Sequence, residues 1–304
     1  MTKRPAKPQS LPLGERGLTV SPLAWGMWRF KGDDVAAARA CVEAALEAGI
    51  SFFDTADVYG PDNGEPFGAA EALLGRVLKD APHLRDRFVL ATKGGIRPGV
   101  PYDSSEAYLT SALDASLRRM GVERVELYQI HRPDVLTHPA DLARTLERMR
   151  QAGKIAEVGV SNFTTAQIAA LQACLPFPIA CSQIELSPLV IAPIEDGDLD
   201  RAMAGGLGVM AWSPLAQGRL GDAAAPDART AAVRAALDVL GAAHGVSRAV
   251  AAYAWLIAHP ARPIPIVGSQ RPARIAEAAK ALGVTIDRAD WYKVLVAARG
   301  APLP

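Results

Sequence analysis

Four residues whose side chains could together transfer a proton are Asp54, Tyr59, Lys93 and His131. Three of them end short apolar runs, and Tyr59 follows Asp54 in the next loop. A phenol is a poor acid at neutral pH, but a neighbouring ammonium favours the phenolate and lowers the pKa. We therefore expect Lys93 to activate Tyr59, Asp54 to fix the Lys93 ammonium, and His131 to orient a carbonyl oxygen. Such a site would protonate the alkoxide that develops when a hydride reaches a carbonyl carbon.

Each of these residues also has a plainer interpretation. An aspartate at a strand end often caps a helix, and a tyrosine in a glycine-containing loop usually packs against its neighbours. Lys93 taken alone suggests a solvated surface residue, and His131 beside Arg132 and Pro133 could cap a turn. The functional interpretation is favoured because all four types occur together, each after an apolar segment.

The elements that must position these residues alternate between short apolar runs and longer segments of helical periodicity. Eight strand-then-helix units favour a closed (β/α)8 TIM barrel over an open doubly wound sheet. The predicted strands are residues 23–27, 51–54, 89–93, 127–131, 157–161, 181–185, 209–212 and 264–267. The predicted helices are residues 33–48, 69–78, 105–120, 139–152, 164–174, 199–204, 230–258 with a break near Gly245, and 272–282.

Two further elements flank the predicted barrel. Residues 11–18 are expected to form a short hairpin that plugs the barrel bottom, and residues 287–299 a last amphipathic helix. The whole chain, residues 1–304, is expected to be one domain. In such barrels the carboxyl ends of the strands form the active face, so the four reactive side chains should meet on one rim.

Composition excludes several other classes. Thirty-three Lys and Arg against 32 Asp and Glu give a net charge of +1, which does not favour nucleic acid or an anionic membrane as partners. The three cysteines have no spacing typical of a disulfide framework or a metal site. No segment resembles a signal peptide or a membrane span. We expect a soluble, unexported cytoplasmic protein without a bound metal, and we predict no oligomeric state.

The common sequence motifs for nucleotide or metal binding do not show how this chain would bind a hydride donor. Residues 206–211 read GLGVMA and match G-x-G-x-x-A, but this string precedes the strand that it would have to follow. Walker A and H-E-x-x-H motifs do not occur, which argues against phosphoryl transfer and metallohydrolase chemistry.

Several motifs in fixed order resemble those of the aldo-keto reductases, across nearly the whole chain. Within that family the chain is similar to a bacterial oxidoreductase group whose substrates are largely unassigned. The matching segments are FDTADVYG at 53–60, TK at 92–93, IHRP at 130–133, GKIAEVGVSNF at 153–163, QIE at 183–185, AWSPL at 211–215 and IVGS at 266–269, followed by Arg274.

The resemblance implies NADPH in extended form across the barrel mouth and a small-molecule aldehyde or ketone activated by Tyr59 and His131. It implies that Ser161, Asn162 and Gln183 hold the nicotinamide carboxamide, and that Trp212 stacks on the nicotinamide ring. It implies a pyrophosphate site at Ser213, Leu215, Gly218 and Arg219, and a 2′-phosphate and adenosine site at Gly268, Ser269 and Arg274.

The chain departs from the family pattern at two cofactor positions. Many relatives have lysine where Gly268 stands, and asparagine where Ala278 stands. Arg274 is therefore the main sequence argument for NADP over NAD. Trp25 or Trp28 is expected to line an aromatic substrate pocket with Tyr59, although either tryptophan could instead belong to the core.

Two alternative functions stay open from sequence alone. A regulatory protein could use the same fold to bind NADP(H) with little turnover. A lyase or aldolase could use a neutral Lys93 as a Schiff-base amine, although the neighbouring Asp54 argues against a neutral lysine.

Overall fold

A computed structural model describes residues 10–14, 17–222 and 225–303. Its strands are β1 Leu11–Leu13, β2 Leu18–Val20, β3 Ala24–Gly26, β4 Phe52–Asp54, β5 Val89–Gly94, β6 Ile96–Arg97, β7 Val100–Tyr102, β8 Val125–Ile130, β9 Ile155–Ser161, β10 Cys181–Glu185, β11 Gly208–Trp212 and β12 Ile264–Val267. Its α-helices are α1 Val35–Glu47, α2 Ala69–Asp80, α3 Glu106–Met120, α4 Pro139–Gln151, α5 Thr165–Gln172, α6 Ala192–Glu195, α7 Asp198–Gly205, α8 Ala228–His244, α9 Arg248–Ile257, α10 Pro272–Ala278 and α11 Arg288–Arg299.

Eight parallel strands close into a barrel, which confirms the predicted fold. The order around the barrel is β3, β4, β5, β8, β9, β10, β11 and β12, and β12 pairs with β3 to close it. Helices connect the successive strands, so the strands are covered on their outer face and packed on their inner face. This double burial explains why they read as apolar runs in the sequence.

Side chains alternate between the barrel interior and the layer beneath the helices. On β5, Ala91 belongs to the interior cluster and Leu90 to the outer cluster. Lys93 therefore points inward, two residues after Ala91, and Thr92 points outward toward α2, where its hydroxyl donates to Glu71. Because side chains alternate between the two faces of a strand, Lys93 lies in the barrel mouth.

The predicted N-terminal hairpin and C-terminal helix are both present. β1 and β2 pair antiparallel, while Glu15 and Arg16 of the predicted hairpin lie outside the described residues. A Cβ on Gly208, at the start of β11, would lie 2.3 Å from Leu13 Cδ1, so the hairpin covers the amino end of the barrel. On α11, Trp291 stacks on Trp255 of α9 at 4.8 Å between ring centroids.

Local sequence signals explain several helix ends. Asp34 and Ser105 accept hydrogen bonds from backbone N–H groups at the starts of α1 and α3. Thr164 and Gln167 form the expected capping box before α5. The predicted break in the long helix occurs at Gly245, whose φ of 63° ends α8 in the left-handed region.

Several short elements were not predicted, and the helix predicted at residues 272–282 ends early. The β6–β7 hairpin follows β5 and turns at Pro98 and Gly99. α6 lies in the loop after β10, and α10 ends at Ala278, after which a 3-10 turn spans Ala279–Gly283. Among the described residues, no helix is long and apolar enough to span a bilayer, and no group of His, Cys, Asp or Glu is arranged to bind a metal ion.

Candidate active site

Three neighbouring strands bring the four predicted reactive residues to one rim of the barrel. Asp54 ends β4, Lys93 lies one residue before the end of β5, and His131 directly follows β8. β4, β5 and β8 are adjacent in the sheet, so these side chains lie next to one another at the carboxyl ends. Tyr59, in the loop after β4, folds back over them.

The Lys93 ammonium is the centre of the site. It is 0% exposed and donates to Asp54 Oδ2 at 2.7 Å, to the Thr55 carbonyl oxygen at 2.8 Å and to Tyr59 Oη at 3.0 Å. An ammonium has three protons, so each of them has an acceptor. The geometry therefore fixes the lysine nitrogen between the carboxylate and the phenol.

The second oxygen of Asp54 is bound by two amides. Gln129 Nε2 and Gln183 Nε2 donate to Asp54 Oδ1 at 3.0 Å and 2.9 Å. Gln129 was missed in the sequence, where the available signal was one polar residue within the apolar run of β8. Gln183, which the resemblance places at the nicotinamide carboxamide, is 2% exposed, and its amide nitrogen points to Asp54 inside the barrel.

The charge state of Lys93 follows from its partners. Burial by itself lowers the pKa of the ammonium, but the Asp54 carboxylate and the Tyr59 hydroxyl raise that pKa above its ordinary value. The nitrogen therefore stays protonated at neutral pH and has no free electron pair. A Schiff-base role, which needs a neutral amine, is disfavoured.

The Tyr59 hydroxyl accepts a hydrogen bond from Lys93, which leaves its own O–H proton available to another acceptor. The sequence predicts that Lys93 lowers the pKa of Tyr59 below its ordinary value, and this prediction is wrong for the net pKa. Burial raises the pKa of Tyr59 more than the Lys93 ammonium lowers it, so the pKa lies above its ordinary value. Tyr59 therefore holds its proton at neutral pH, as a proton donor must.

His131 is neutral in this environment. Burial, and then the positive charges of Lys93 and Arg132, place the pKa of His131 well below its ordinary value. Its Nδ1 is buried and has no hydrogen-bond partner in the described part of the chain. An unpaired buried acceptor costs less than an unpaired buried N–H, so we infer that the proton is on Nε2. The ring lies edge-on to Tyr59 at 5.9 Å between centroids.

Ser161, Asn162 and Trp212 lie together on the adjacent part of the rim. Asn162 Nδ2 donates to Ser161 Oγ at 2.8 Å, and Trp212 Nε1 donates to Asn162 Oδ1 at 3.0 Å. Asn162 has a positive φ of 58°, which is uncommon for a residue with a side chain. The half-buried Trp212 presents a flat apolar ring next to this group.

The loop after β11, which includes the predicted pyrophosphate residues Ser213, Leu215, Gly218 and Arg219, is strained. Within it Ser213, Ala216 and Gln217 have φ values of 49°, 50° and 57°. Among the described residues that are not glycine, only Asn162 and Arg262 share this conformation. Such strain costs about 1–3 kcal/mol per residue and concentrates at ligand-binding loops.

The predicted 2′-phosphate residues follow β12. Gly268 and Ser269 are half-buried and Arg274 is exposed on α10. A Cβ on Gly268 would lie 3.7 Å from Arg29 Nη1, with no other atom within 4 Å. Arg29, from the loop after β3, thus brings a cation to the predicted 2′-phosphate site. Sequence reasoning missed this cation because its position depends on the fold.

The two early tryptophans have different environments. The expectation that Trp25 lines a substrate pocket is wrong, because its side chain is 0% exposed and packs edge-on against Phe30 and Phe53. Trp28 is 40% exposed, and its Nε1 donates to Asp62 Oδ2 at 3.3 Å. Trp28 is therefore the available aromatic surface after β3.

Arg132 is a second residue that sequence reasoning missed. It follows His131 directly and is half-buried. Within the described ranges its guanidinium makes no hydrogen bond or ion pair, and it lies 6.0 Å from the Trp212 ring centroid. It is close enough to affect the pKa values of both Tyr59 and His131. The barrel mouth thus contains an unpaired cation beside Asp54, Tyr59, Lys93 and His131, the candidate proton-donating group.

A search of protein families matches the model of the aldo/keto reductase family to residues 22–295. Two bacterial relatives bear the name 6-dehydroglucose reductase. The protein from Novosphingobium aromaticivorans is 55% identical over 100% of both chains. The protein from Agrobacterium fabrum is 37% identical over 93% of this chain and 96% of its own.

A solved structure agrees with these relatives at the level of the fold. The thermostable aldo-keto reductase Tm1743, crystallised with the inhibitor epalrestat, superposes with a TM-score of 0.80 at 22% identity and covers 95% of this chain and 99% of its own. The matched family model spans the barrel and all four residues of the proton-donating group. This chain is a member of the aldo/keto reductase family.

Proposed function

We propose that this protein uses NADPH to reduce the aldehyde of a sugar, 6-dehydroglucose or a close analogue, to the alcohol, with Tyr59 as the general acid. The observation that supports this proposal most strongly is the Lys93 ammonium, which binds Asp54 at 2.7 Å and Tyr59 at 3.0 Å. Because the Tyr59 oxygen accepts from Lys93, its own proton is available for donation to a substrate oxygen.

The residues around the mouth fit a nicotinamide nucleotide. The strained loop of residues 213–218 suits close approach of a pyrophosphate, because left-handed backbone turns N–H groups toward bound anions. Trp212 provides a flat face for the nicotinamide ring, and Asn162 and Ser161 provide polar atoms for its carboxamide. Arg274 and Arg29 favour a third phosphate, and therefore NADPH over NADH.

NADPH held by the residues after β9, β11 and β12 would supply the hydride for the carbonyl carbon. His131 Nε2–H donates a hydrogen bond to the carbonyl oxygen and orients it toward Tyr59. As negative charge develops on that oxygen, Tyr59 transfers its proton and becomes a phenolate. Lys93 then stabilises the phenolate, and Asp54 keeps the ammonium in place.

The sugar substrate is proposed from the relatives and from two side chains. Both bacterial relatives named above are called 6-dehydroglucose reductases. A 6-dehydroglucose carries an aldehyde and several hydroxyl groups. The unpaired Arg132 guanidinium can donate to hydroxyl oxygens, and the exposed Trp28 ring offers an apolar face to a sugar ring.

Tyr59→Phe tests the proton-donating role. Removing the general acid should lower kcat by about 10²-fold to 10⁴-fold, measured as NADPH oxidation at saturating cofactor. The dissociation constant for NADPH, measured by fluorescence titration, should not change. Full turnover by Tyr59→Phe would disprove the proposed acid.

A substrate panel tests the sugar assignment and the regulatory alternative. We expect kcat/KM to be higher for 6-dehydroglucose than for a simple aliphatic aldehyde, because only the sugar can hydrogen-bond to Arg132. Equal values would contradict the substrate assignment while leaving the reductase activity intact. Tight NADPH binding with no turnover of any carbonyl would instead favour the regulatory function.

A further inference from the structure

Two buried carboxyl groups lie behind the barrel wall and have opposite surroundings. Glu71 of α2 is fully bonded, since Thr92 Oγ1 donates to Oε1 at 2.5 Å and Arg119 Nε donates to Oε2 at 2.8 Å. Asp57, in the loop after β4, is 1% exposed. Neither oxygen of its carboxyl group makes a hydrogen bond of normal geometry to a described residue.

A second buried oxygen without a hydrogen-bond partner in the described part of the chain lies close to Gly94, as Asp57 does. A Cβ on Gly94, the last residue of β5, would lie 2.2 Å from the Tyr128 hydroxyl oxygen and 3.4 Å from Asp57 Oδ2. The Tyr128 hydroxyl is buried and likewise has no partner within the described ranges. Gly94 is therefore required here, because any side chain would displace the tyrosine hydroxyl. The Asp57 carboxyl group and the Tyr128 hydroxyl thus both lie close to Gly94, and they make no hydrogen bond to each other.

The surroundings of Asp57 favour its neutral form. The charged and titratable groups around it are Lys93 of β5, Glu71 of α2, Arg119 and Tyr108 of α3, and Tyr128 of β8. Burial and the Glu71 carboxylate raise the pKa of Asp57 well above its ordinary value. Arg119, the Val58 N–H and Lys93 oppose this effect without overcoming it. A neutral carboxyl group can donate as well as accept a hydrogen bond.

The Asp57 site is directly connected to the proton-donating group. The Asp57 N–H donates to the Lys93 carbonyl oxygen at 3.0 Å, and Tyr59 lies two residues further along the same loop. The Gly94 carbonyl oxygen accepts from the His131 N–H at 2.9 Å. A shift of Asp57 or Gly94 would thus move the backbone that carries these three reactive residues.

We propose that the neutral Asp57 carboxyl group and the Tyr128 hydroxyl hold an ordered water molecule behind Gly94, and that Asp57 is through this site a positioning residue for Tyr59 and Lys93. Buried waters typically bond to about three otherwise unsatisfied polar groups, and polar atoms separated by more than a hydrogen-bond length are commonly bridged in this way.

Three measurements on the full-length protein test the proposal directly. A high-resolution crystal structure should show a water within hydrogen-bond distance of both Asp57 and Tyr128 Oη. The infrared spectrum at neutral pH should show the carbonyl stretch of a protonated carboxyl group that disappears in Asp57→Asn. Absence of the water, or an ionised Asp57 at neutral pH, would overturn the proposal.

Kinetics separate a positioning role from a purely structural one. Asp57→Asn keeps the size and hydrogen bonding of a neutral carboxyl group, so kcat should stay within about threefold of wild type. Asp57→Leu and Tyr128→Phe remove hydrogen-bonding groups, and kcat should fall, by up to about 10²-fold for Asp57→Leu, with the NADPH dissociation constant unchanged. Tyr128→Phe keeps the ring, so it tests the site even if Asp57→Leu does not fold. A folded Tyr128→Phe with wild-type kcat would contradict the proposal.

The pH dependence of stability gives an independent readout. The unfolded chain ionises Asp57 near pH 3.8, whereas the folded chain keeps the proton to higher pH. The folded state then binds more protons, so the free energy of unfolding should fall as pH rises above 3.8 toward the raised pKa. Asp57→Asn should lack this component. Parallel stability curves for the two proteins would overturn the neutral assignment.

Discussion

The two parts of the barrel rim differ in burial and in how many of their charged groups have partners. The part formed by β4, β5 and β8 is buried, and its central ammonium has an acceptor for each proton. The part formed by the segments after β11 and β12 is more exposed and contains three non-glycine residues with positive φ. It also presents two cations, Arg29 and Arg274, that form no ion pair with any residue that the structure describes. We infer that the first is preorganised for the proposed proton transfer and that the second is completed by the proposed anionic cofactor.

Substitution of Lys93 should give the largest effect. Lys93→Met removes the support of the Tyr59 phenolate, so kcat should fall by about 10²-fold to 10⁴-fold. It also leaves the Asp54 carboxylate buried without a cation, which should lower the free energy of unfolding by about 3–5 kcal/mol. The NADPH dissociation constant should change little if the two parts of the rim act separately.

Lys154→Met is the matched control for this prediction. Lys154 pairs with Asp114 at 2.6 Å, but this pair is about one-third exposed. Loss of an exposed ion pair should cost no more than about 1 kcal/mol and should not affect kcat. Stability is measured by urea unfolding. Equal losses in the two variants would contradict the special role of the buried pair.

Substitution of Arg274 should give an intermediate effect in the other part of the rim. A charged hydrogen bond to a phosphate contributes about 1.5–3 kcal/mol, so Arg274→Ala should weaken NADPH binding by about 10-fold to 100-fold. NADH binding should be unchanged, because NADH has no 2′-phosphate. Fluorescence titration with both nucleotides measures this difference.

The control for Arg274 is Arg288→Ala, which changes another exposed arginine on α11, away from the rim. Its affinity for both nucleotides should match that of wild type. A loss of NADH affinity equal to the loss of NADPH affinity in Arg274→Ala would show that Arg274 does not recognise the third phosphate.

Substitution of Gln217 should give the smallest effect. Gln217 is exposed with a φ of 57°, so Gln217→Gly should relieve strain and raise the free energy of unfolding by about 1 kcal/mol. NADPH binding should weaken slightly, because a freer loop must be ordered on binding. Gln217→Ala keeps the strain and should show neither change. Equal stabilities for the glycine and alanine variants would contradict the strained-loop interpretation.

The barrel and the positions of its candidate catalytic residues could be predicted because each depends on a local pattern. Doubly covered strands must be apolar, so their ends are visible in sequence, and polar residues at those ends stand out. The parallel barrel then places Asp54, Lys93 and His131 on one rim without further information. The capping box at Thr164 is equally local.

Features that depend on tertiary contacts could not be predicted. Whether Trp25 or Trp28 faces the mouth is decided by packing against Phe53, which the sequence does not specify. The inward turn of the Gln183 amide depends on the distance to Asp54 across the barrel. The net pKa of Tyr59 depends on a balance between burial and charge that requires coordinates.

A crystal structure with NADP+ bound tests the preorganised proton-donating site most directly. Lys93 Nζ should remain about 3.0 Å from Tyr59 Oη and 2.7 Å from Asp54 Oδ2, while the backbone of residues 213–218 adjusts around the nucleotide. A nucleotide complex in which Lys93 has moved out of hydrogen-bond reach of Tyr59 would contradict the account.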